Sequence, residues 1–201
     1  LIQNFSKIFD ECNDSISKMR KNRTKILAIL NNSHHTHKEL ISASEFLLDD
    51  CKSLGTVYFS IMARIAFVAS IIIKNLVKSG IISEKFVNDF MNSINSPLSQ
   101  FQIDHISFTQ NKISKKEFLH KYGHLRPGTY DITATRYDKD SKFLENMKSL
   151  KLPKTKKNKI NYPNLENTFK KSGLIFSNTT FYDFVKKSIV QREEMKFEFT
   201  K

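Results

Sequence analysis

The stretch VYFSIMARIAFVASIII, residues 57–73, decides how this chain folds. It is apolar almost throughout, and Arg64 is its only charge. Two settings accept such a stretch: a bilayer or the core of a helical domain. A membrane span needs about 20 apolar residues, and an Arg near its centre costs about 2.5–3.5 kcal/mol even on lenient insertion scales. The pattern therefore predicts a central buried helix, ended by Gly80, in a non-membrane protein.

On the N-terminal side, Ile2, Phe5, Phe9, Cys12, Ile16 and Met19 recur at steps of three and four, which puts one apolar stripe on a first helix. A further apolar patch, Ile26 to Leu30, runs into Asn31-Asn32-Ser33, read as a break. The next helix carries Leu40, Leu47, Cys51 and Leu54, with Gly55 expected to close it. Beyond Gly80, Ser83 can cap a helix whose buried face is Phe86, Val87, Phe90, Met91 and Ile94. Pro97 opens a less regular segment through Phe101, Ile106 and Phe108. Ser114-Lys115-Lys116-Glu117 is a capping box for a short helix that Gly123 should stop, and Pro127-Gly128 enforces a turn. A last helix, from about Thr180, carries Phe181, Phe184, Val185 and Ile189 into Arg192-Glu193.

The composition agrees with a globular, mainly α chain: 201 residues, 39% hydrophobic, 26% charged, and only 5 Gly and 4 Pro. The expected architecture is a multi-helix orthogonal bundle with an irregular Pro-Gly loop and a basic connector. Net charge is +13, so the surface should attract anions, but much of the excess lies between Lys148 and Lys159. That run has no interleaved aromatics and is read as a solvated connector rather than a single-strand platform. Cys12 and Cys51 are too few and too far apart for a disulfide framework, which points to a reducing, cytoplasmic setting. His34, His35 and His37 cluster, yet no Cys or carboxylate lies at ligand spacing before Glu39, so no metal is expected. The opening Leu1-Ile2-Gln3-Asn4 has neither a leader pattern nor a Met, and the chain is read as a piece of something longer.

Three blocks then carry a resemblance. Glu117-Phe118-Leu119-His120-Lys121-Tyr122-Gly123-His124-Leu125-Arg126-Pro127-Gly128-Thr129-Tyr130-Asp131, continued by Arg136-Tyr137-Asp138, resembles the "YGHxxPG-x-x-D" segment of phosphoenolpyruvate-synthase-like enzymes. Gly55-Thr56-Val57-Tyr58-Phe59 with Ala63-Arg64-Ile65-Ala66-Phe67 looks like the family's "GT-x-x-F…AR-x-AF" helix. Arg192-Glu193-Glu194-Met195-Lys196-Phe197 looks like its "RE-x-x-KF" close. One departure is Ala134-Thr135, where relatives often place a proline. In that family, and in the rifampicin phosphotransferases that share its architecture, this region lies between an N-terminal ATP-grasp domain and a C-terminal swivelling domain whose histidine carries a phosphoryl group.

The resemblance implies that residues 1–137 form a helical intermediate domain for acceptor binding or support, 138–163 a lysine-rich connector, and 164–201 a helical segment leading to the swivelling domain. It also implies ATP and Mg²⁺ for the full-length enzyme, with the ATP-grasp and phosphohistidine domains and a small-molecule acceptor as partners. This stretch itself has no Gly-rich nucleotide loop and no Gly-x-x-x-Ser/Thr-His block, so it is expected to bind no cofactor and to be inactive alone. Substrate or anion contacts are expected from His124, Arg126, Tyr130, Asp131 and Arg136. An arginine fixed before a Pro-Gly turn can make bidentate contact with phosphate or carboxylate, or equally hold its loop by pairing with Asp131 or Asp138. His124 can donate to an anion or bond a free carbonyl. Arg64, in its apolar helix, should need a structural ion pair with Asp131, Glu117 or Glu193, and Arg192 and Glu193 should pair at a helix end. The alternative to the phosphotransferase reading is a basic helical module that binds nucleic acid or only interacts.

Overall fold

A computed structural model describes residues 4–32, 34–127, 131, 133–140 and 161–201. Most of the basic connector, and with it the lysine run, lies outside the described residues. The protein is mainly α, with no strand among the described residues. The helices are α1 (Phe5–Asn31), α2 (His37–Asp50), α3 (Val57–Lys78), α4 (Glu84–Asn92), α5 (Pro97–Thr109), α6 (Lys115–Tyr122), α7 (Glu166–Lys171) and α8 (Asn178–Phe199).

Side chains that satisfy the first free amides start most of these helices. Thr36 with Glu39, and Ser114 with Glu117, close reciprocal capping boxes at α2 and α6. Ser83 accepts from Phe86 N at α4, and Ser96 with Pro97 opens α5. Thus the segment after Pro97, expected to be irregular, is a regular helix of 13 residues. Its apolar residues escape a periodic reading because they face two ways: Phe101 and Ile106 are buried, whereas Leu98 and Ile103 are exposed.

Gly55 does not end a helix. The chain passes through a π-helical segment, Cys51–Thr56, straight into α3, so that His37–Lys78 is one helix of 42 residues. The glycine is required by close approach, because a Cβ there would lie 2.7 Å from Phe199 Cβ on α8. Carbonyls displaced from the ordinary ladder find hydroxyls instead: Ser15 Oγ donates to Leu54 O at 2.7 Å and Thr56 Oγ1 to Cys51 O at 2.9 Å. The stop at Gly80 is as expected, with φ +69° and amides of Gly80 and Ile81 returning to Val77 and Leu76.

The main core lies where α8 packs along α3 and α1. Cys12, Ile16 and Met19 of α1 meet Met62, Ile65, Ala69 and Ile73 of α3, Phe90 of α4, Leu165, Phe169 of α7, and Phe181, Val185 and Met195 of α8. Each fully buried large side chain here contributes about 2 kcal/mol. Helices α7 and α8 are therefore built into the same core as α1 and α3. Helix α3 is buried on one side only: Met62, Ile65, Ala66 and Ala69 face inward, while Phe67 and Ile71 are exposed. By length and apolarity His37–Lys78 is the one helix among the described residues that could cross a bilayer. Cys12 and Cys51 are free thiols, and burial, with Glu11 adding to it, pushes the Cys12 thiol up to about 12.

A second, smaller core joins α5 to α6: Phe101, Phe118, Tyr122 and Tyr137, with Leu125 and Phe197 packed against it. Asp104 ties the two helices together, accepting from Tyr122 OH, Lys121 Nζ and Gln100 Nε2, each at 2.7 Å. Burial raises the Asp104 carboxyl, but these three hydrogen bonds outweigh it and hold the group below its ordinary value.

Candidate anion-binding cleft

Between the two cores lies an open cleft of about 670 Å³. One wall is a stripe on α3, Phe59, Ala63 and Phe67, at steps of four residues. A second is α8, which presents Arg192, Glu193, Lys196 and Phe197. The N-terminus of α5 gives Pro97, Leu98 and Phe101, and the loop after α6 gives Leu125, Arg126, Pro127 and Tyr137.

The loop is held shape-first by its backbone. Tyr137 N donates to Leu125 O at 2.9 Å and Asp138 N to Gly123 O at 3.0 Å, so the two ends of the loop are zipped together. Gly123 permits this approach, since a Cβ would meet the Leu119 carbonyl and lie 2.8 Å from Asp138 Cβ. Arg126 Nε donates to Ala134 O at 2.9 Å, which fixes the guanidinium across the loop. Arg136 makes a two-point contact with Asp138, at 3.1 and 2.6 Å. Asp131 Oδ1 accepts from Thr133 Oγ1 and Thr133 N, and those bonds hold its carboxyl below the ordinary value.

On the α8 wall, Glu193 has two attachments: Oε2 accepts from Leu98 N at 3.1 Å, and Oε1 lies 3.6 Å from Arg192. The carboxylate thus satisfies a free amide in the first turn of α5 and anchors that helix to α8. The cleft lining then holds three cations, Arg126, Arg192 and Lys196, against one carboxylate.

The expected site residues divide. Arg126 lines the cleft, but it is braced by the Ala134 carbonyl rather than by Asp131 or Asp138. Arg192 and Glu193, expected only as a structural pair, line it too. Asp131 and Arg136 are spent on the loop's own geometry and do not line the cleft. His124 stands behind the wall: its ring packs edge-on against Phe197 at 4.8 Å and bonds the Phe197 backbone, leaving Nε2 buried without a partner. Burial, chiefly, and the nearby Lys201 push it down to about 4, so the ring is neutral and structural near neutral pH. Tyr130 lies outside the described residues. Arg64 is a correction: it is exposed and, among the described residues, has no ion pair, because it projects from the solvent side of α3. His35 bonds Ile29 O at 3.0 Å near the end of α1, and no group of His, Cys, Asp or Glu among the described residues could hold a metal ion.

Residue-by-residue reasoning passed over Lys196, Phe197, Tyr137, Phe59 and Phe67. The signal was present as spacing: Arg192 and Lys196 are four apart on one helix face, as are Phe59, Ala63 and Phe67. A second concavity, of about 780 Å³ between α1 and α8, gathers none of the expected residues and has one lysine, Lys187, paired with Asp183 at 2.9 Å. Comparison of the chain with protein-family models, with curated proteins and with solved structures finds no match.

Proposed function

We propose that this chain is the helical acceptor-binding and interdomain-supporting region of a cytoplasmic, ATP-dependent phosphotransferase of the phosphoenolpyruvate-synthase-like type, working with a phosphohistidine carrier. The observation that carries the reading is convergence. The three blocks that resemble the family, spread along the chain from residue 55 to residue 197, each send side chains to one cleft: Phe59, Ala63 and Phe67; Leu125, Arg126, Pro127 and Tyr137; Arg192, Glu193, Lys196 and Phe197. Three cations, Arg126, Arg192 and Lys196, stand with one carboxylate, Glu193, in that lining, an excess of positive charge suited to an anion.

In this reading the chain's own residues bind and orient. Positive charge fixed in advance stabilises a transferring phosphoryl group because no reorganisation is needed as charge develops. Arg126, held through Nε, and Arg192, 3.6 Å from Glu193, are suited to that work. ATP and Mg²⁺ would supply the phosphoryl donor chemistry elsewhere in the full-length chain, in its ATP-grasp and swivelling domains; no step through them is assigned to the described residues.

The test is to incubate the full-length reading frame, and this 201-residue chain separately, with β- and γ-labelled ATP and Mg²⁺. An acid-labile, base-stable phosphoenzyme in the full-length protein and none in the shorter chain is the expected result. If the full-length protein takes no label across a range of pH, the phosphotransferase reading is overturned.

A further inference from the structure

We infer that the cleft takes a small organic acid: one compact anionic head, carboxylate or phosphate, on a flat apolar or aromatic body. As an acceptor class this rests on the proposed function, but as a binding site it rests on the cleft alone. The head is indicated by charge. Arg126 spends its Nε on Ala134 O, which orients the guanidinium and leaves its two terminal nitrogens for a two-point contact. Arg192 touches Glu193 at 3.6 Å, too long for a hydrogen bond, and Glu193 is already engaged by Leu98 N at 3.1 Å. Its guanidinium therefore retains donors for a ligand.

The body is indicated by the apolar residues that line the cleft with these arginines. Phe67 is 64% exposed and Leu98 56% exposed, yet both stand at the cleft beside Phe59, Phe101 and Phe197. Apolar rims around a few placed polar groups are the usual lining of small-molecule sites, and about 670 Å³ lies within their usual size range. A bare phosphate would leave this apolar surface wet, and a neutral hydrocarbon would make no use of the remaining donors of Arg126 and Arg192. A ligand with both parts satisfies the charged and the apolar lining at once. The net charge of +13 would draw such an anion toward the protein.

The experiment is calorimetric titration of this chain with biphenyl-4-carboxylate, 4-biphenylyl phosphate, biphenyl-4-carboxamide and inorganic phosphate. The two aromatic anions should bind saturably, the amide about tenfold more weakly, and inorganic phosphate not measurably. Arg192→Gln and Arg126→Gln should each weaken the anions about tenfold and leave the amide unchanged. Arg126→Gln also removes the bond to Ala134, so circular dichroism and Arg192→Gln separate loss of fold from loss of the head contact. Phe67→Ser should weaken all three biphenyls together. Equal binding of amide and carboxylate, or anion binding indifferent to both arginine variants, would overturn the inference. A preference for carboxylate over phosphate, or the reverse, names the head. Since the titration needs no phosphoenzyme, it can succeed where the labelling test fails, and the two results are read separately.

Discussion

Two groups of arginines, at the two ends of the last turns of α8, have opposite fates. At the C-terminal end Arg20 and Arg23 reach from α1 to Glu198, at 2.9 and 2.5 Å, and the Glu198 side chain is completely buried. Burial raises that carboxyl, but the two guanidiniums outweigh it and hold it below its ordinary value. Six residues earlier, on another face of the same helix, Arg192 lines the cleft with Arg126, and their charges are only partly answered. The first group is spent on holding α8 against α1. The second is held in place by the fold without being used up by it, which is what a binding site requires.

The comparison can be broken most forcefully at the clamp. Arg23→Ala leaves a buried carboxylate with only the more exposed Arg20, and should lower unfolding free energy in urea by about 3 kcal/mol. A much smaller loss would mean that Glu198 is not sealed from water. Next in size is Gly55→Ala, which forces a methyl to within 2.7 Å of Phe199 Cβ and should cost about 1–3 kcal/mol by overpacking. Unchanged stability would show that α8 does not approach the π-helical segment so closely.

Acid sensitivity is a finer probe. The folded state holds His124 neutral, at about 4 against an ordinary 6.5, so the unfolded chain binds the extra proton. His124 thus contributes stability that is fully present above pH 6.5 and is lost as pH falls toward about 4. The melting temperature should decline over that window, and His124→Asn, whose amide can replace the bond to Phe197, should flatten the decline. The Glu198 contribution is lost lower, as pH falls below the ordinary glutamate value of 4.5. The smallest effects belong to Arg192→Gln and Arg64→Gln, each within about 0.5 kcal/mol of the parent in urea, since neither closes a buried pair. A large loss from Arg192→Gln would place it with the clamp and not with the cleft.

What was legible in the sequence follows the range of the forces. The stripes of α1 and α3, the Ser83 and Ser114 caps and the Gly80 stop are local, and all could be read from a few neighbouring residues. Gly55 could not, because its partner is Phe199, 144 positions away, and a glycine kept for close approach looks like one kept for a turn. Arg64 is exposed despite its apolar sequence neighbours, which do not reveal which side of a helix faces water. The cleft itself was only half legible: Arg126 declared itself beside Pro127, whereas Lys196 and Phe67 matter through what α8 and α3 bring opposite them. His124, inside a conspicuous motif, turned out to support the wall from behind.

The most direct test of the proposed acceptor site uses the longer reading frame that the proposed function calls for, first labelled to a phosphoenzyme and then chased with the small-molecule fraction of a cell extract. The account predicts that the Arg126→Gln/Arg192→Gln double variant labels as well as the parent but discharges its phosphoryl group at least about tenfold more slowly. Equal discharge from both proteins would contradict the assignment of this cleft as the acceptor site.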